Sequence, residues 1–593
     1  GRFGDPVGSR SGDLAEQCYQ QERRNPSGLG TVEARRHLGF SDPPDFSGRL
    51  CTCGGIALEA GKCPGLQEGI PYLPMAIAPE ELFSLAVYFV LMLGIGAYAY
   101  IHSTRDVSGY MLGGRRLDPA VGALSAGASD MSGWMLLGLP GAVYVSGLGA
   151  AWIAVGLTIG AYFNYRCVAP RLRSYTELAD DAITIPDYFE KRFQDNTRLL
   201  RLLSSVVIVV FFTLYTSAGL VAGGKLFESA FGLDYSLGLW VTAGVVLSYT
   251  MMGGFLAVSL TDFVQGTIMF FALVLVPFAA IWGLGGFEAV TAFIQSAPPA
   301  PNGGSEVGPP RSGFFDWFQN ISALGFLSLM AWGLGYFGQP HIIVRFMAIR
   351  SLKDMAVARL IGMAWMVVTL LGAILTGVAG VAYVAAKGLQ ADFGDPETIF
   401  ILLSQTLFHP LVSGFLLAAI LAAIMSTISS QLLVSSSSLT EDFYKAFVRR
   451  SAGEGERLVV GRMSVLGVAL VALVLASDRS SNILTLVSNA WAGFGAAFGP
   501  VILFSLYWPR TTRNGALSGV LVGALTVLVW LYAPFKIGDE SLSGVIYEMI
   551  PGFALGSLAT VIVSLVDRPP PPQVASTFRL MHQAVRAEDR SFL

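Results

Sequence analysis

Apolar runs of about 20 residues recur along this chain from Pro79 almost to its end, and each is long enough to cross a lipid bilayer as a helix. Backbone groups find no water inside a bilayer, so such runs fold as helices rather than as open strands. Hydrophobic residues make up 53% of the 593-residue chain and charged residues only 13%. A water-soluble chain of this size rarely has that balance. The sequence therefore predicts an all-α polytopic membrane protein.

Breaks at charged residues, prolines and glycine clusters divide the apolar part of the chain into about thirteen predicted spans. Lysine and arginine collect in one set of alternate loops, for example at Arg115, Arg173 and Arg450. Because positively charged loops stay in the cytoplasm, we predict a multi-pass protein of the cell inner membrane with a periplasmic N-terminus and a cytoplasmic C-terminus. The predicted spans are residues 80–102, 120–147, 149–172, 199–231, 236–254, 260–286, 318–347, 356–387, 409–440, 459–477, 482–508, 514–534 and 544–566.

Residues 1–74 differ in kind from the spans, since they are rich in glycine, proline, arginine and serine, and the first methionine of the chain is Met75. We predict that this segment is either not native to the protein or disordered, with translation beginning at or near Met75. The membrane domain is then predicted to cover residues 75–567. Residues 568–593 begin with Arg568 and four prolines and are predicted to form a loosely ordered cytoplasmic tail.

The most informative segment of the sequence is Ser125–Trp134, in the middle of the second predicted span. Its Asp130 is costly inside a membrane unless a cation, a donor or water compensates the charge, so Asp130 is a candidate functional residue. Gly127 and Gly133 allow the backbone to unwind and expose carbonyl oxygens, which suit a hard cation such as sodium. The alternative is a helix-packing face of small residues with a satisfied aspartate.

A second interrupted helix is predicted at Trp332–His341, where three glycines and Pro340 lie inside one span. Broken helices that open each of two five-helix halves are typical of secondary transporters with inverted repeats, whose substrate site lies at the membrane midplane. We therefore predict a 5+5 inverted-repeat core with discontinuous helices. The two repeats are predicted at about residues 120–286 and 318–508.

A hydroxyl-rich helix face is predicted at residues 422–430. Ala423, Ser426, Thr427 and Ser430 are spaced at three and four residues, so they share one face of a helix. That face would bring hydroxyl oxygens opposite the unwound part of the second span and complete an oxygen cage. The alternative is that the hydroxyls bond to carbonyl oxygens one turn back in their own helix.

Several aromatic residues in the spans would offer surface for a small, partly apolar substrate, although aromatic residues in spans are more often lipid-facing or part of the core. Asp262 is predicted at the cytoplasmic start of the sixth span, where the alternative is an ordinary carboxylate at a helix N-terminus. The aromatic candidates are Trp134, Tyr215, Trp332 and Tyr336.

The sequence lacks common nucleotide-binding and catalytic motifs. There is no Walker motif, no HExxH motif and no nucleophile elbow in a plausible context. We therefore expect that the protein is not an enzyme and that an ion gradient, rather than ATP, supplies its driving force. The net charge of −3 and the lack of long blocks of like charge argue against a nucleic-acid partner.

Several stretches of the chain are similar to the sodium:solute symporter family, and in particular to its proline-transporting branch, which has a leucine-transporter-like fold. The likeness runs from about Pro79 to about Val566. It covers nearly every core span, and the run around Asp130 resembles the proline branch rather than the sugar carriers. The stretches that carry the resemblance are Leu112–Arg115, Ala123–Leu139, Thr184–Phe189, Gly253–Ser259, Gly335–His341, Ile420–Thr427 and Ala490–Gly495.

Site roles follow from the resemblance by matching positions. Asp130 would be essential for sodium affinity, and Ser132 would lie at the sodium or the proline site. Sodium would be bound by backbone oxygens of Ala128, Met131 and Ala423 and by the hydroxyls of Ser426 and Thr427.

The resemblance also implies a substrate pocket and a set of coupling residues. Arg115 and Asp187 would belong to the cytoplasmic side, and Asp262 would take part in coupling nearby. The proline pocket would be formed by Trp134, Tyr215, Trp332, Tyr336 and Pro340.

The function implied by the resemblance is sodium-coupled uptake of L-proline by alternating access. Na⁺ would be the co-transported ion, with no organic cofactor. The lipid bilayer would surround the chain, and no obligate protein partner is inferred. Two alternatives remain open: a sodium symporter for another small solute, such as pantothenate, a monocarboxylate or a sugar, or a solute-binding membrane sensor.

Overall fold

The structure is a computed structural model that describes residues 51–53, 56–58, 78–102, 107–297, 311–319, 321–389, 394–478, 483–537 and 540–591. The chain divides into two compact units, Gly1–Pro71 and Tyr72–Leu593. In the first unit, strands β1 (Cys51–Cys53) and β2 (Ile56–Leu58) pair antiparallel. The rest of the segment 1–74 lies outside the described residues, so the prediction for it stays a prediction.

The first part of the second unit is almost entirely helical. Two π-helical segments, Trp134–Gly138 and Asn164–Val168, continue the course of neighbouring α-helices. The α-helices are α1 (Pro79–His102), α2 (Val107–Leu112), α3 (Pro119–Asp130), α4 (Leu139–Ser146), α5 (Trp152–Phe163), α6 (Ala169–Leu178), α7 (Ile185–Phe193), α8 (Leu199–Phe231), α9 (Tyr235–Gly283) and α10 (Phe287–Ser296).

The second part of this unit is also helical, apart from the short strands β3 (Lys536–Ile537) and β4 (Glu540–Ser541), which pair antiparallel. A 3₁₀ segment, Ala331–Gly338, follows α11, and a π-helical segment, Ser438–Val448, extends α15. The α-helices are α11 (Ala323–Met330), α12 (Pro340–Ala348), α13 (Asp354–Lys387), α14 (Ile399–Leu407), α15 (Pro410–Ser437), α16 (Glu454–Leu475), α17 (Ile483–Tyr507), α18 (Arg513–Tyr532), α19 (Leu542–Val545), α20 (Met549–Val566) and α21 (Pro572–Ser591).

Ten helical segments in the described part of the chain are long and apolar enough to cross a membrane, judged by length and composition. That number takes α9 as one segment, although a positive φ of 55° at Gly254 breaks it into two. It also leaves out α3 and α11, which are short because their spans are interrupted. The predicted number of about thirteen spans therefore stays a prediction.

Both predicted discontinuous helices are confirmed. The first helix ends at Asp130, because Met131 leaves the helical region with φ −80° and ψ 77°. The second passes from α11 into the 3₁₀ segment Ala331–Gly338, and Gln339 is extended (φ −83°, ψ 105°) before α12 starts. Pro340 stands at the first position of α12, where its missing N–H leaves no helical hydrogen bond unmade.

Helix α15 lies among α1, α3, α8 and α9 and is buried along most of its length. Apart from its hydroxyls and Gln431 the helix is apolar, and its small residues, such as Ala422 and Ala423, let neighbouring backbones approach closely. This packing brings the face that carries residues 423–427 toward the break after α3. The hydroxyl face therefore points into the bundle and not to lipid.

The C-terminal tail differs from the sequence expectation. Residues 572–591 form the helix α21, which packs against α6 with Val574, Phe578 and Met581 buried. The expectation of a loosely ordered tail is therefore wrong for this stretch. The proline run of residues 569–572 ends where the helix begins, since proline is well tolerated in a first helical turn.

Helix α5 and the 3₁₀ segment Ala331–Gly338 touch through glycines. A Cβ atom on Gly160 would lie 2.1 Å from the carbonyl oxygen of Gly333, well inside van der Waals contact. We expect Gly160→Ala to lower the free energy of unfolding by about 3 kcal/mol, because the backbones must move apart. Thermal unfolding of the protein in detergent measures this. Gly244→Ala in α9 is the matched control, since no heavy atom lies within 4 Å of its added Cβ, and an equal loss there would contradict the prediction.

Candidate functional site

Asp130 and Tyr336 join the two broken helices. The Tyr336 hydroxyl, from the 3₁₀ segment, donates a hydrogen bond to Asp130 Oδ2 at the end of α3. The indole Nε1 of Trp134 donates to the backbone oxygen of Asp130 at 3.3 Å. Asp130 Oδ1 is buried and has no hydrogen-bond partner among the residues that the structure describes. The carboxylate is therefore held on one side and open to a partner on the other.

Oxygen atoms of the predicted sodium site lie next to one another between α3 and α15. Ser426 Oγ donates to the backbone oxygen of Ala128 at 2.7 Å and lies 3.1 Å from that of Ala423. Thr427 Oγ1 donates to the same Ala423 oxygen at 3.2 Å. All four residues are buried. Four oxygens therefore lie close together here, and an all-oxygen set suits a hard cation.

Met131 and Ser132 form the turn between the two halves of the first broken helix. The Met131 N–H bonds to the Gly127 oxygen at 2.9 Å, and the Ser132 oxygen accepts from the Met135 N–H at 3.0 Å. Ser132 Oγ lies 3.5 Å from the Trp134 nitrogen. Both residues are buried beside Asp130, and their roles at the sodium or substrate site stay predictions.

Aromatic rings form a continuous cluster beside this turn. The rings of Trp134 and Trp332 are 6.3 Å apart, and Tyr547 stacks on Trp332 at 5.6 Å. Tyr336 meets the edge of Trp491 at 5.2 Å, and the Trp491 Nε1 donates to the Trp332 oxygen at 2.8 Å. The structure thus brings three of the predicted pocket residues together and adds Trp491 and Tyr547.

Tyr215 and Pro340 meet at His341, at the start of α12. The Tyr215 ring is 6.1 Å from the ring of His341, next to Pro340, and the Tyr215 hydroxyl is buried with no hydrogen-bond partner in the described part of the chain. Gln339 Nε2 donates to the Trp491 oxygen at 3.0 Å, which ties the start of α12 to α17. These contacts place polar groups beside an otherwise apolar pocket.

The two added aromatics differ in how well the sequence signalled them. Trp491 lies in the stretch Ala490–Gly495, which carries part of the family resemblance, so closer attention to it would have found the residue. Tyr547 precedes the outer helix α20. An aromatic at that position is indistinguishable in sequence from one of the interfacial aromatics common in membrane proteins.

A buried ion pair connects Asp262 of α9 with Arg345 of α12 at 3.2 Å, and both side chains are fully buried. Ser125 Oγ donates to Asp262 Oδ2 at 2.7 Å and accepts from Arg345 Nε at 3.1 Å. Arg345 also donates to Ser430 Oγ on α15. The alternative that Asp262 is an ordinary N-terminal carboxylate is wrong, because it lies inside α9 beyond the break at Gly254.

The other two predicted coupling residues form different ion pairs but meet at one peptide group, since Arg115 donates to the Ala182 oxygen at 2.7 Å and the Ile183 N–H donates to Asp187 Oδ2 at 3.2 Å. Arg115 pairs with Asp181 at 2.5 Å and donates to the Met347 oxygen at 2.9 Å. Burial lowers the pKa of the Arg115 guanidinium, and the Asp181 charge opposes that change. Asp187 pairs with Arg201, whose Nε lies 3.0 Å from Asp442. No hydrogen bond or ion pair in the described part of the chain joins Arg115, Asp187 and Asp262 directly.

Comparison with known proteins gives a consistent result. The model of the sodium:solute symporter family matches residues 110–523. The chain is 54% identical over 507 residues to the osmoregulated proline transporter OpuE of Bacillus subtilis, covering 86% of this chain and 99% of that protein. It is 55% identical over 487 residues to the high-affinity proline transporter PutP of the same organism, covering 82% and 98%. It is 52% identical over 512 residues to a sodium/proline symporter of Staphylococcus aureus, covering 86% and 96%.

A solved structure is similar in fold. It is the substrate-bound, outward-open state of a sodium-coupled sialic acid symporter, with a TM-score of 0.69 and 18% sequence identity, covering 84% of this chain and 99% of that one. At this identity the likeness concerns the fold alone. It confirms the predicted all-α transporter fold, whereas the repeat boundaries at 120–286 and 318–508 stay predictions.

Proposed function

Because the chain belongs to the sodium:solute symporter family, we propose that it carries L-proline together with Na⁺ into the cell by alternating access. Relatives more than half identical to it over nearly their whole length are named as proline transporters. The single observation in the structure that best supports this function is the contact of Ser426 Oγ with the Ala128 oxygen at 2.7 Å. That contact joins the last turn of α3, just before the break, to α15, and one cation at this place would bridge the two helices.

Sodium binding would replace this hydrogen bond with ion coordination. Oxygens of Ala128, Met131, Ala423, Ser426 and Thr427 are proposed as ligands. The charge of Asp130, just past Ala128 in the chain, would favour a cation in the oxygen cage electrostatically. An ion that bridges α3 and α15 favours whichever conformation holds the two helices together, and this differential affinity provides coupling.

Proline is proposed to bind in the aromatic cluster. Its ring would pack on Trp134 and Trp332, while its carboxylate would face the start of α12, since a helix N-terminus favours negative charge. Tyr215, Tyr336 and Pro340 would complete the pocket. Ser132 lies between the proposed ion and substrate positions. A shift of the turn on sodium binding would therefore directly change the proposed proline site.

The remaining assignments concern the cytoplasmic side and the membrane. Arg115, Asp187 and Asp262 are proposed to stabilise one conformation through their separate ion pairs. The orientation with a periplasmic N-terminus and a cytoplasmic C-terminus follows from the loop charges. Transport is assigned to residues 75–567, with residues 1–74 outside it. We propose Na⁺ as the co-transported ion and no organic cofactor.

The decisive experiment is uptake of labelled proline into proteoliposomes with and without an inward sodium gradient. We expect accumulation only with the gradient and competition by unlabelled proline but not by pantothenate, lactate or glucose. Sodium-independent accumulation, or stronger competition by one of these other solutes, would contradict the proposal.

Tyr547 provides a test of the pocket itself, because it stacks on Trp332 from outside the two predicted repeats. We expect Tyr547→Leu to raise the KM for proline about 3- to 10-fold, because that factor corresponds to the free energy of one aromatic pair. Tyr547→Phe keeps the ring and should change the KM less than twofold. Initial rates of uptake at saturating sodium measure this. Tyr532→Leu, at an exposed tyrosine of α18, is the matched control, and an equal change there would count against the assignment.

A further inference from the structure

A small cavity lies against Asp130, between α3, α12, α13 and the π-helical segment Asn164–Val168, and Tyr336 is also among the residues that line it. It leaves about 20 Å³ for the centre of a water molecule, enough for one water. Its lining is mostly apolar, with side chains of Met131, Phe346 and Trp365 among others, and two of its polar lining residues are Asp130 and Asn164.

Three polar atoms of these two lining residues lack a hydrogen-bond partner among the described residues. They are Asp130 Oδ1 and both amide atoms of Asn164, all of them buried. The nearby indole Nε1 of Trp365 is already committed to the Gly266 oxygen at 2.8 Å. An unsatisfied buried polar atom costs about 1–3 kcal/mol, so three of them around one cavity indicate a shared ligand.

The backbone at Asn164 is itself unusual. Asn164 is the first residue of a π-helical segment that interrupts the otherwise α-helical course from α5 to α6. Such a segment adds a residue to a turn and redirects the side chains that follow, and it frequently marks a functional site. Asn164 is only 1% exposed, so lipid or bulk water does not satisfy its amide.

We propose that the cavity binds one water molecule that bridges Asp130 Oδ1 and the Asn164 amide. The water donates one hydrogen to the carboxylate oxygen and the other to Asn164 Oδ1, or accepts from Asn164 Nδ2. Tyr336 and this water then hold the carboxylate from both sides. Asn164 is accordingly a positioning residue for Asp130, and this inference rests on the proposed role of Asp130 in sodium binding.

Loss of the water bridge is expected to weaken the affinity for sodium more than the affinity for proline. Without the bridge, one carboxylate oxygen is buried unsatisfied and the group can rotate away from the oxygen cage. We expect Asn164→Leu, which conserves volume, to raise the half-saturating sodium concentration roughly tenfold. The KM for proline at saturating sodium should change less than twofold. Asn164→Ser keeps a polar partner with room for water and should remain within about threefold of wild type.

The experiment measures sodium dependence of proline uptake in proteoliposomes for these variants. Thr158→Val is the matched control in α5, because among the described residues the Thr158 hydroxyl bonds only to the Ala154 oxygen of its own helix, at 2.7 Å. An unchanged sodium dependence in Asn164→Leu, or an equal rise in Thr158→Val, would overturn the proposal. So would a loss of proline affinity as large as that of sodium affinity.

A cryo-EM map of the wild type at about 2 Å resolution provides a test independent of any variant. We expect density for one water within 3.2 Å of both Asp130 Oδ1 and an Asn164 amide atom. A cavity without density, or an ion at shorter distances, would reject the water bridge. If Asp130→Ala leaves sodium dependence intact, the proposed sodium site fails; if only Asp130 matters and Asn164 does not, the site stands and this inference fails.

Discussion

Asp130→Ala is expected to raise the half-saturating sodium concentration of proline uptake roughly 100-fold or more, because it removes a buried charge beside the oxygen cage. The remaining cage consists of neutral carbonyl and hydroxyl oxygens. These oxygens can coordinate sodium, but they do not offset the full free-energy cost of moving sodium from water into a dry interior. Uptake at physiological sodium should therefore fall to background. The measurement is initial uptake of labelled proline across a sodium titration in proteoliposomes.

Two further variants separate charge from shape. Asp130→Asn keeps an acceptor for the Tyr336 hydroxyl and should still lose sodium affinity, since only the charge is gone. Asp118→Ala is the matched control: this exposed carboxylate caps the other end of α3 through the Ala120 N–H. Sodium dependence should be unchanged there. A normal sodium titration for Asp130→Ala would show that the cation binds elsewhere.

Arg345→Ala is expected to lower the free energy of unfolding by about 3–5 kcal/mol, because it leaves Asp262 charged, buried and unpaired. Arg345 also links Ser125 and Ser430, so its removal loosens α3, α9 and α15 together. The midpoint of thermal unfolding in detergent should fall clearly, and transport should be lost with it.

A double variant distinguishes stability from coupling at this pair. Asp262→Leu combined with Arg345→Met removes both charges and should recover most of the lost stability, because apolar side chains of similar volume can replace a buried ion pair. Uptake should nevertheless stay impaired if the pair favours one conformation. Arg350→Ala, at an exposed arginine paired with Asp354, should change stability little. Normal transport by the double variant would show that Asp262 takes no part in coupling.

Much of the proposed site was predictable from sequence because its signals are local. A carboxylate between glycines inside an apolar run, and a proline after three glycines in another, each violate the rules of an ordinary membrane helix. The structure breaks the chain at both places, at Met131 and at Gln339. Hydroxyls at a spacing of three and four residues predicted one face of α15. In the structure Ser426 and Thr427 both bond to the Ala423 oxygen one turn back in that helix, which is the alternative given for these hydroxyls, and Ser426 also bonds to the Ala128 oxygen of α3. The oxygen cage therefore stays a prediction.

Partners between distant helices depended on the tertiary structure. Hydropathy reports that a segment crosses the membrane, but not which neighbour each of its faces meets, because lipid and protein interior are almost equally apolar. The pairing of Asp262 with Arg345, the stacking of Tyr547 on Trp332 and the position of Asn164 beside Asp130 therefore had no sequence signal. The packing of α21 against α6 was not predictable from the sequence for the same reason.

The sequence by itself determined that this chain is a bundle of membrane helices, that two of them are broken, and that Asp130 stands at one break. Length, hydropathy and backbone chemistry are properties of single segments, so they can be read along the chain. Only the tertiary structure decided what surrounds the carboxylate: Tyr336 bonds to Oδ2, and Asn164 lines a water-sized cavity beside the carboxylate. Those contacts depend on how the helices cross, which is a property of the packed bundle and of no segment alone.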